Sequence, residues 1–169
     1  ARCGDQVVRQ DLSVGEPGHE SCDDGNPDNN DSCTDSCSAA RCGDGYVRSD
    51  LENGSLGYEN CDDGNTIETD GCRNDCTLAR CGDGYLRTDL APEAMGYEFC
   101  DDANANDADS CLNNCQIARC GDQVVRQDLS VGEPGHESCD DGNPDNNDSC
   151  TDSCSAARCG DGYKRTDLE

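Results

Sequence analysis

The sequence predicts small disulfide-rich tandem repeats, built from short β-hairpins and loops with little helix and stacked as an elongated rod. Three observations carry this prediction: a constant repeat step, a high cysteine content and a shortage of apolar residues. The motif Ala-Arg-Cys-Gly-Asp begins at Ala1 and returns every 39 residues. The chain therefore divides into four repeats and the first 13 residues of a fifth: 1–39, 40–78, 79–117, 118–156 and 157–169.

Repeats 1–39 and 118–156 are identical, which indicates that the duplication is recent or that the sequence is a segment of a longer repeat array. The fifth stretch contains one cysteine, Cys159, without the other cysteines of a repeat. We therefore expect these residues to be a segment of a longer fibre-forming chain or assembly, in which Cys159 finds its partner. We also expect a precursor with a leader that is removed.

A repeat of this size is near the limit of about 40 residues below which an apolar core does not suffice. The chain is only 32% hydrophobic, with one Phe and no Trp, and it contains 17 cysteines. Such a cysteine content is typical of disulfide scaffolds from oxidising compartments. The sequence thus predicts a secreted or cell-surface protein.

The net charge is −26, and acidic residues dominate every full repeat. This charge repels nucleic acid and anionic lipid and attracts cations, so neither nucleic acid nor a membrane surface is an expected partner. No apolar run approaches the roughly 18 residues of a transmembrane helix, which argues against membrane insertion.

Each repeat opens with a short segment of strand-like composition, at residues 6–9, 46–48 and 85–87. Gly, Pro and Asn follow, and residues 19–22 or 58–61 then return as an expected second strand. Helix is limited to one expected turn between Cys33 and Cys37. Leu78 and Ile117 are expected to form a small apolar seam between neighbouring repeats.

The cysteine spacing favours disulfides over a four-cysteine metal site, because zinc sites usually contain close Cys-x2-Cys pairs. Three internal pairings are open in each repeat, and a bridge from Cys37 to Cys42 across the joint is a fourth alternative. Chain entropy disfavours Cys33 with Cys37 and favours wide bridges such as Cys3–Cys33 or Cys22–Cys37. The predicted disulfide cysteines are Cys3, Cys22, Cys33, Cys37, Cys42, Cys61, Cys72, Cys76, Cys81, Cys100, Cys111, Cys115, Cys120, Cys139, Cys150 and Cys154.

The loop between the second and third cysteines is rich in carboxylates and amides, which are the ligands that Ca²⁺ prefers. Its spacing is not that of an EF-hand. The alternative is that these residues form Asx-turns and cap backbone amides. The predicted Ca²⁺ ligands are Asp23, Asp24, Asn26, Asp31, Asp62, Asp63, Asn65, Asp70, Asp101, Asp102, Asn104, Asp109, Asp140, Asp141, Asn143 and Asp148.

No repeat combines a nucleophile with an orienting base, so we expect no enzyme activity, no catalytic residue and no organic cofactor. Arg2 and Arg9 are expected in structural ion pairs with Asp5 or Glu20, and His19 is expected to be a half-exposed packing residue. Three segments match the acceptor pattern for N-linked glycans: 30–32, 53–55 and 147–149.

Three blocks of residues carry a resemblance: Cys-Gly-Asp-Gly-Tyr at 42–46, Glu-Asn-Cys-Asp-Asp-Gly-Asn at 59–65, and Asp-Gly-Cys at 70–72 followed by Cys76. In this order they resemble the myxobacterial-type cysteine-rich repeat family. The resemblance covers all four repeats and implies an extracellular protein of stalks or surface appendages without enzyme activity. Departures at Gln6, Gln123, Ala103, and Ser32, Ser110 and Ser149 replace glycines of the family pattern.

The expected function is that of an extracellular structural repeat protein, a filament, stalk or surface appendage stabilised by disulfides and Ca²⁺. Identical repeats can propagate head to tail by self-association or continuation of the chain. The alternative is the repeat ectodomain of an adhesin or receptor, with a surface glycan or protein as its partner. Copied repeats favour the first hypothesis, because a recognition surface usually diversifies its exposed positions.

Overall fold

The backbone consists of turns and loops. The computed structural model describes residues 2–9 and 11–167; Ala1, Gln10, Leu168 and Glu169, which fall in the predicted first and fifth repeats, lie outside this description. Within the described ranges there is no helix, and pairing of extended backbone is limited to isolated antiparallel bridges. The prediction of a small disulfide-rich fold with little helix is confirmed. The bridges are Cys33 with Ala39, Cys72 with Leu78, Cys111 with Ile117 and Cys150 with Ala156.

The predicted β-hairpins are wrong. The backbone N–H of Arg9 donates to the Glu20 carboxylate, at 2.9 Å, and that of Ser21 donates to the carbonyl of Cys37, also at 2.9 Å. The two segments therefore approach one another, but a carboxylate takes the place of the carbonyl that a β-ladder would supply. Strand-like composition correctly indicated that the two segments lie close together. It did not indicate that a side-chain carboxylate, and not a backbone carbonyl, accepts the hydrogen bond.

A single turn after the third cysteine closes each repeat, as expected for residues 33–37. The N–H of Cys37 donates to the carbonyl of Thr34 at 2.8 Å, and the N–H of Thr34 donates to the carbonyl of Ser38 at 2.9 Å. Cys37 has a φ of +56°, a conformation that residues other than glycine seldom adopt. This conformation turns the chain so that Cys37 reaches back to the start of the repeat.

The disulfides are nested: in each repeat the first cysteine pairs with the fourth and the second with the third. Cys3–Cys37 encloses Cys22–Cys33, with sequence separations of 34 and 11 residues. Neither the favoured wide pairings nor the bridge across the joint forms. The turn after Cys33 places Cys37 beside Cys3, and this outer bridge closes a longer loop than either favoured pairing, so chain entropy does not oppose it. The other bridges are Cys42–Cys76, Cys61–Cys72, Cys81–Cys115, Cys100–Cys111, Cys120–Cys154 and Cys139–Cys150.

Sulfur and polar groups fill most of the interior. The third and fourth cysteines of each repeat are buried, together with Glu20 and its counterparts, Thr34 and Thr151, whereas few aliphatic side chains are. Leu78 and Ile117, which were expected to form an apolar seam, are each 57% exposed. Cys159 is unpaired and exposed.

The chain separates into two compact units, Ala1–Ala79 and Arg80–Glu169.

Candidate functional site

Asp23, the first acid after the second cysteine, is an anchor for backbone amides. Its carboxylate accepts hydrogen bonds from the N–H groups of Gly4, Asp5 and Gln6 at 3.0–3.1 Å and from that of Gly25 at 3.0 Å. An ionised carboxylate offers about four acceptor positions, so these bonds occupy all of them. The same arrangement recurs at Asp62, Asp101 and Asp140.

The pKa values of three of these anchors reflect the same geometry. Burial alone would raise the pKa of Asp101, but four backbone N–H groups stabilise the ionised form and hold the pKa below its ordinary value of 3.8. The pKa values of Asp23 and Asp140 are lowered in the same way. Asp23, Asp101 and Asp140 therefore remain charged and bound to the backbone.

The turns around the anchor keep their geometry in repeats where glutamine or alanine takes the place of a glycine. Gln6 and Gln123 have φ values of +65° and +75°, and Ala103 has +61°, so these residues adopt the left-handed conformation of the glycines they replace. Gly71, by contrast, is not among the residues with positive φ. Serine at its counterparts, Ser32, Ser110 and Ser149, consequently requires no unusual backbone conformation.

A buried glutamate near the anchor accepts another backbone N–H. Glu59 is 4% exposed and accepts the backbone N–H of Arg48 at 2.9 Å. Burial raises its pKa, and the nearby carboxylates of Asp62 and Asp44 raise it further. Glu98 and Glu137 show the same burial and the same direction of pKa shift.

The repeated arginine pairs with a different acid from the one expected. Arg9 contacts Asp11 through two parallel hydrogen bonds, at 3.2 and 2.9 Å, whereas Glu20 takes only its backbone N–H. Asp5 likewise accepts the backbone N–H of Arg2. An arginine and an aspartate two positions apart in an extended segment lie on the same side of the chain, and this local pairing prevails. It recurs as Arg48–Asp50, Arg87–Asp89, Arg126–Asp128 and Arg165–Asp167.

The remaining predicted ligands, Asp24, Asn26 and Asp31, come together within the acidic loop. The Asn26 carboxamide donates to Asp31 at 3.0 Å, and the carboxyl of Asp24 lies beside that of Asp31. Asp24 Oδ2 and its counterpart Asp102 Oδ2 are buried and have no hydrogen-bond partner. The Cys33 N–H and then Asn26 lower the pKa of Asp31, so the cluster carries negative charge. We call these three residues and their counterparts the loop cluster.

The same side chains also form Asx-turns, which was the alternative interpretation of the loop. Asp24 accepts the N–H of Asn26 at 3.1 Å, Asn26 that of Asp28 at 2.6 Å, and Asp28 that of Asn30 at 3.0 Å. Each bond spans two residues, and each replaces a regular backbone hydrogen bond. The side chains of the acidic loop therefore stabilise the loop backbone without a bound ligand.

Further groups of potential metal-binding atoms lie near the anchors, and each includes a cysteine. One combines Glu20, Asp23 and Cys37, and another combines Cys42, Asp62 and Cys76. Every one of these cysteines is in a disulfide, so none of them offers a thiolate to a metal. These groups describe the packing of carboxylates against the outer disulfide.

The acidic loop also binds the following repeat. Ser49 donates its backbone N–H to the carbonyl of Asn30 at 2.8 Å, and the Asn30 carboxamide donates to the carbonyl of Val47 at 2.7 Å. The charge of Arg48 lowers the pKa of Asp31. We call this contact the repeat joint. Equivalent backbone bonds join Gln127 to Ala108 at 2.8 Å and Thr166 to Asn147 at 2.7 Å.

These features define a cysteine-rich, disulfide-bonded repeat protein, and comparison with known proteins agrees with this class. A family model described as "Domain of unknown function (DUF4215)" matches residues 34–77. That range contains the last turn of one repeat and most of the next. No curated protein and no solved structure matches the chain. Residues 2–9 and 11–167 contain no helix that could cross a membrane.

Sequence reasoning assigned Asp23 and its counterparts to a metal site and did not identify them as backbone anchors. The signal was present in the sequence: Asp23 is fixed in all four repeats, and so is the short Cys-Gly-Asp turn that it binds. The left-handed conformation of the fourth cysteine had no such signal, because nothing in the sequence marks Cys37 as unusual. The repeat joint was likewise not foreseen.

Proposed function

We propose that this protein is an extracellular structural repeat protein that forms a filament, stalk or surface appendage. Its eight disulfides indicate an oxidising extracellular environment. The repeat joint is the observation that carries the proposal. The acidic loop of one repeat binds the opening segment of the next, and this contact has the same form between repeats one and two, three and four, and four and five.

A contact between two different surfaces of the same unit is head-to-tail and has no intrinsic end. Each joint uses the carbonyl of a loop residue such as Asn30 and the N–H of an opening residue such as Ser49. Any further repeat with the same loop and opening segment fits the same contact. This property suits a protein that extends by adding repeats.

Electron microscopy of the native material, with intact mass of the reduced protein, tests the proposal. Uniform fibres, or a mass far above that of the sequence, are expected. A single species at 17.9 kDa that stays monomeric would refute the filament. Ser49→Pro removes the N–H at one joint and should shorten or weaken the fibres. Asn53→Pro is the matched control, because the third repeat carries Pro92 at the same position.

We further propose that the loop cluster binds Ca²⁺. The buried, unpartnered oxygens Asp24 Oδ2 and Asp102 Oδ2 support this proposal, since a buried carboxylate oxygen without a partner is costly. We leave the four anchor aspartates out of the ligand set because their oxygens are occupied. Few protein oxygens remain per cluster, so water would complete the shell and the affinity would be that of extracellular modules, Kd on the order of 10⁻⁴–10⁻³ M.

A second candidate function, an adhesin or receptor ectodomain, is favoured by one observation. The turn of every full repeat carries a large apolar side chain that is almost fully exposed: Val14 at 89%, Leu56 at 101%, Met95 at 99% and Val131 at 89%. Single exposed apolar side chains are common, however, and these belong to separate turns. Scattered monomers with a folded tip in the electron micrographs would favour this candidate over the filament.

A further inference from the structure

We propose that Asn53 is a site of N-linked glycosylation. The chain contains three acceptor motifs, and the structure distinguishes this one from the other two. Asn53, Gly54 and Ser55 lie on an exposed turn. The carboxamide of Asn53 and the hydroxyl of Ser55 make no hydrogen bond to any residue that the structure describes.

The backbone of the turn directs Asn53 outward. The N–H of Ser55 donates to the carbonyl of Glu52 at 3.0 Å, and Gly54 has a φ of +88°. This is the pattern of a type II turn with Asn53 at its second position and glycine at its third. Val14 and Val131 occupy the same position in the identical turns of repeats one and four, and each is 89% exposed.

Space around the turn is open as well. A Cβ added at Gly54 would meet no atom within 4 Å, so the residue beside Asn53 faces open space. Together with the exposure of Asn53 itself, this leaves room for a bulky, hydrated sugar. Its attachment also costs no internal hydrogen bond, because the Asn53 carboxamide has none to lose.

In the other two motifs, the asparagine side chain already makes a hydrogen bond within the protein. The Asn30 carboxamide donates to Val47 of the next repeat at 2.7 Å, so a sugar on Asn30 would crowd the repeat joint. The Asn147 carboxamide donates to Asp145 at 3.0 Å, and the carbonyl of Asn147 accepts the N–H of Thr166 at 2.7 Å. We therefore assign the glycan to Asn53 alone.

The donor would be an oligosaccharide linked to a lipid pyrophosphate. The Asn53 Nδ2 atom forms a bond to the anomeric carbon of the sugar as the bond from that carbon to the pyrophosphate oxygen breaks. The lipid pyrophosphate leaves, and the nitrogen loses one proton. The product is a neutral N-glycosidic amide, a modification typical of surface loops in secreted proteins.

The glycan site rests on the proposed extracellular placement, and the following experiment can disprove the glycan site without disproving the placement. The full chain is secreted from a eukaryotic cell, and an amidase then removes glycans in ¹⁸O-water, which converts a glycosylated asparagine to labelled aspartate. An aliquot without amidase corrects for spontaneous deamidation at Asn53-Gly54. Variants Asn53→Gln and Ser55→Ala should abolish the label, whereas Ser55→Thr, Asn30→Gln and Asn147→Gln should retain it.

Peptide mapping before reduction reports the disulfides of the same sample. A chain with eight bridges and no label at Asn53 would overturn the glycan site and leave the extracellular placement standing. Label at Asn30 or Asn147 without label at Asn53 would also overturn it. A chain recovered with reduced cysteines would refute the extracellular placement and the glycan site together.

Discussion

Gln6 and Gly25 share one space at the start of the first repeat. A Cβ on Gly25 would overlap the Cγ of Gln6. The same two positions hold Gly45 and Gly64 in the second repeat, Gly84 and Ala103 in the third, and Gln123 and Gly142 in the fourth. Every pair therefore contains at least one glycine, and at most one member carries a side chain.

This relationship predicts strong coupling in the second repeat, where both members are glycine. Gly45→Gln copies the first repeat and Gly64→Ala copies the third. Each alone places a side chain at positive φ, which costs about 1–2 kcal/mol. Together they overlap and should cost about 1–3 kcal/mol more than the sum. Hydrogen exchange of the Gly43 and Asp44 amides measures the loss, and simple additivity would contradict the shared space.

The anchor role of Asp101 predicts a local loss of stability on substitution. Asp101→Asn removes the charge and leaves some of its four N–H donors without an acceptor, at a cost of about 1–3 kcal/mol. Faster hydrogen exchange at Gly82, Asp83 and Gly84 is the expected readout. Glu93→Gln, on an exposed turn of the same repeat, is the control. Equal exchange in both variants would contradict the anchor role.

Disulfide mapping should find the nested pairing. Alkylation without reductant is expected to label Cys159 and no other cysteine, since sixteen cysteines are bridged. Removing the outer bridge with Cys42→Ser and Cys76→Ser should cost about 1 kcal/mol more than removing the inner bridge at Cys61 and Cys72, because it closes the longer loop. Linked peptides joining Cys42 to Cys72 would disprove the pairing.

The direction of the pKa shifts predicts a stability maximum in mild acid. Glu59, Glu98 and Glu137 have raised pKa values, so burying their ionised forms opposes folding, and protonation relieves this cost as the pH falls toward 4.5. Aspartates with lowered pKa values, such as Asp101 and Asp140, stabilise the fold above 3.8 and lose that contribution as the pH falls further.

The melting temperature of the bridged protein should therefore rise from pH 7 toward about 4.5 and decline below 3.8. Replacing all three buried glutamates with glutamine should flatten the rise. Glu52→Gln with Glu93→Gln, both on exposed turns, should leave it in place. If the buried and the exposed substitutions flattened the rise in melting temperature equally, net charge alone would account for it.

Calcium binding to the loop cluster predicts a higher melting temperature in Ca²⁺ than in chelator. At about 100 times Kd, each site adds roughly 2.7 kcal/mol. Asp24→Asn and its counterparts should reduce the shift, whereas Asp11→Asn, which breaks only an exposed ion pair, should preserve it. If the melting curves in chelator and in millimolar Ca²⁺ superimposed, the proposal that the loop cluster binds Ca²⁺ would be wrong.

The disulfide-rich, nearly helix-free fold could be predicted because cysteine count and apolar content depend on composition alone. The roles of individual acids could not. Asp23 and Asp24 are adjacent and chemically identical, yet one binds four amides and the other has an unpartnered oxygen. The difference arises from the Cys-Gly-Asp turn, which folds against one carboxylate, and from the outer disulfide, whose pairing depends on the left-handed Cys37.

The nested bridges also determine how the chain responds to tension. A pulling force crosses a repeat through the outer disulfide, whose Cα atoms are 5.6 Å apart, and then follows the backbone from Cys37 to Cys42. At no more than about 3.8 Å per residue, that path reaches about 25 Å per repeat, against roughly 140 Å for the same residues fully extended without bridges. The bridges therefore limit the extension of each repeat to about a fifth of what the unbridged chain allows, and reduction of the bridges would remove that limit.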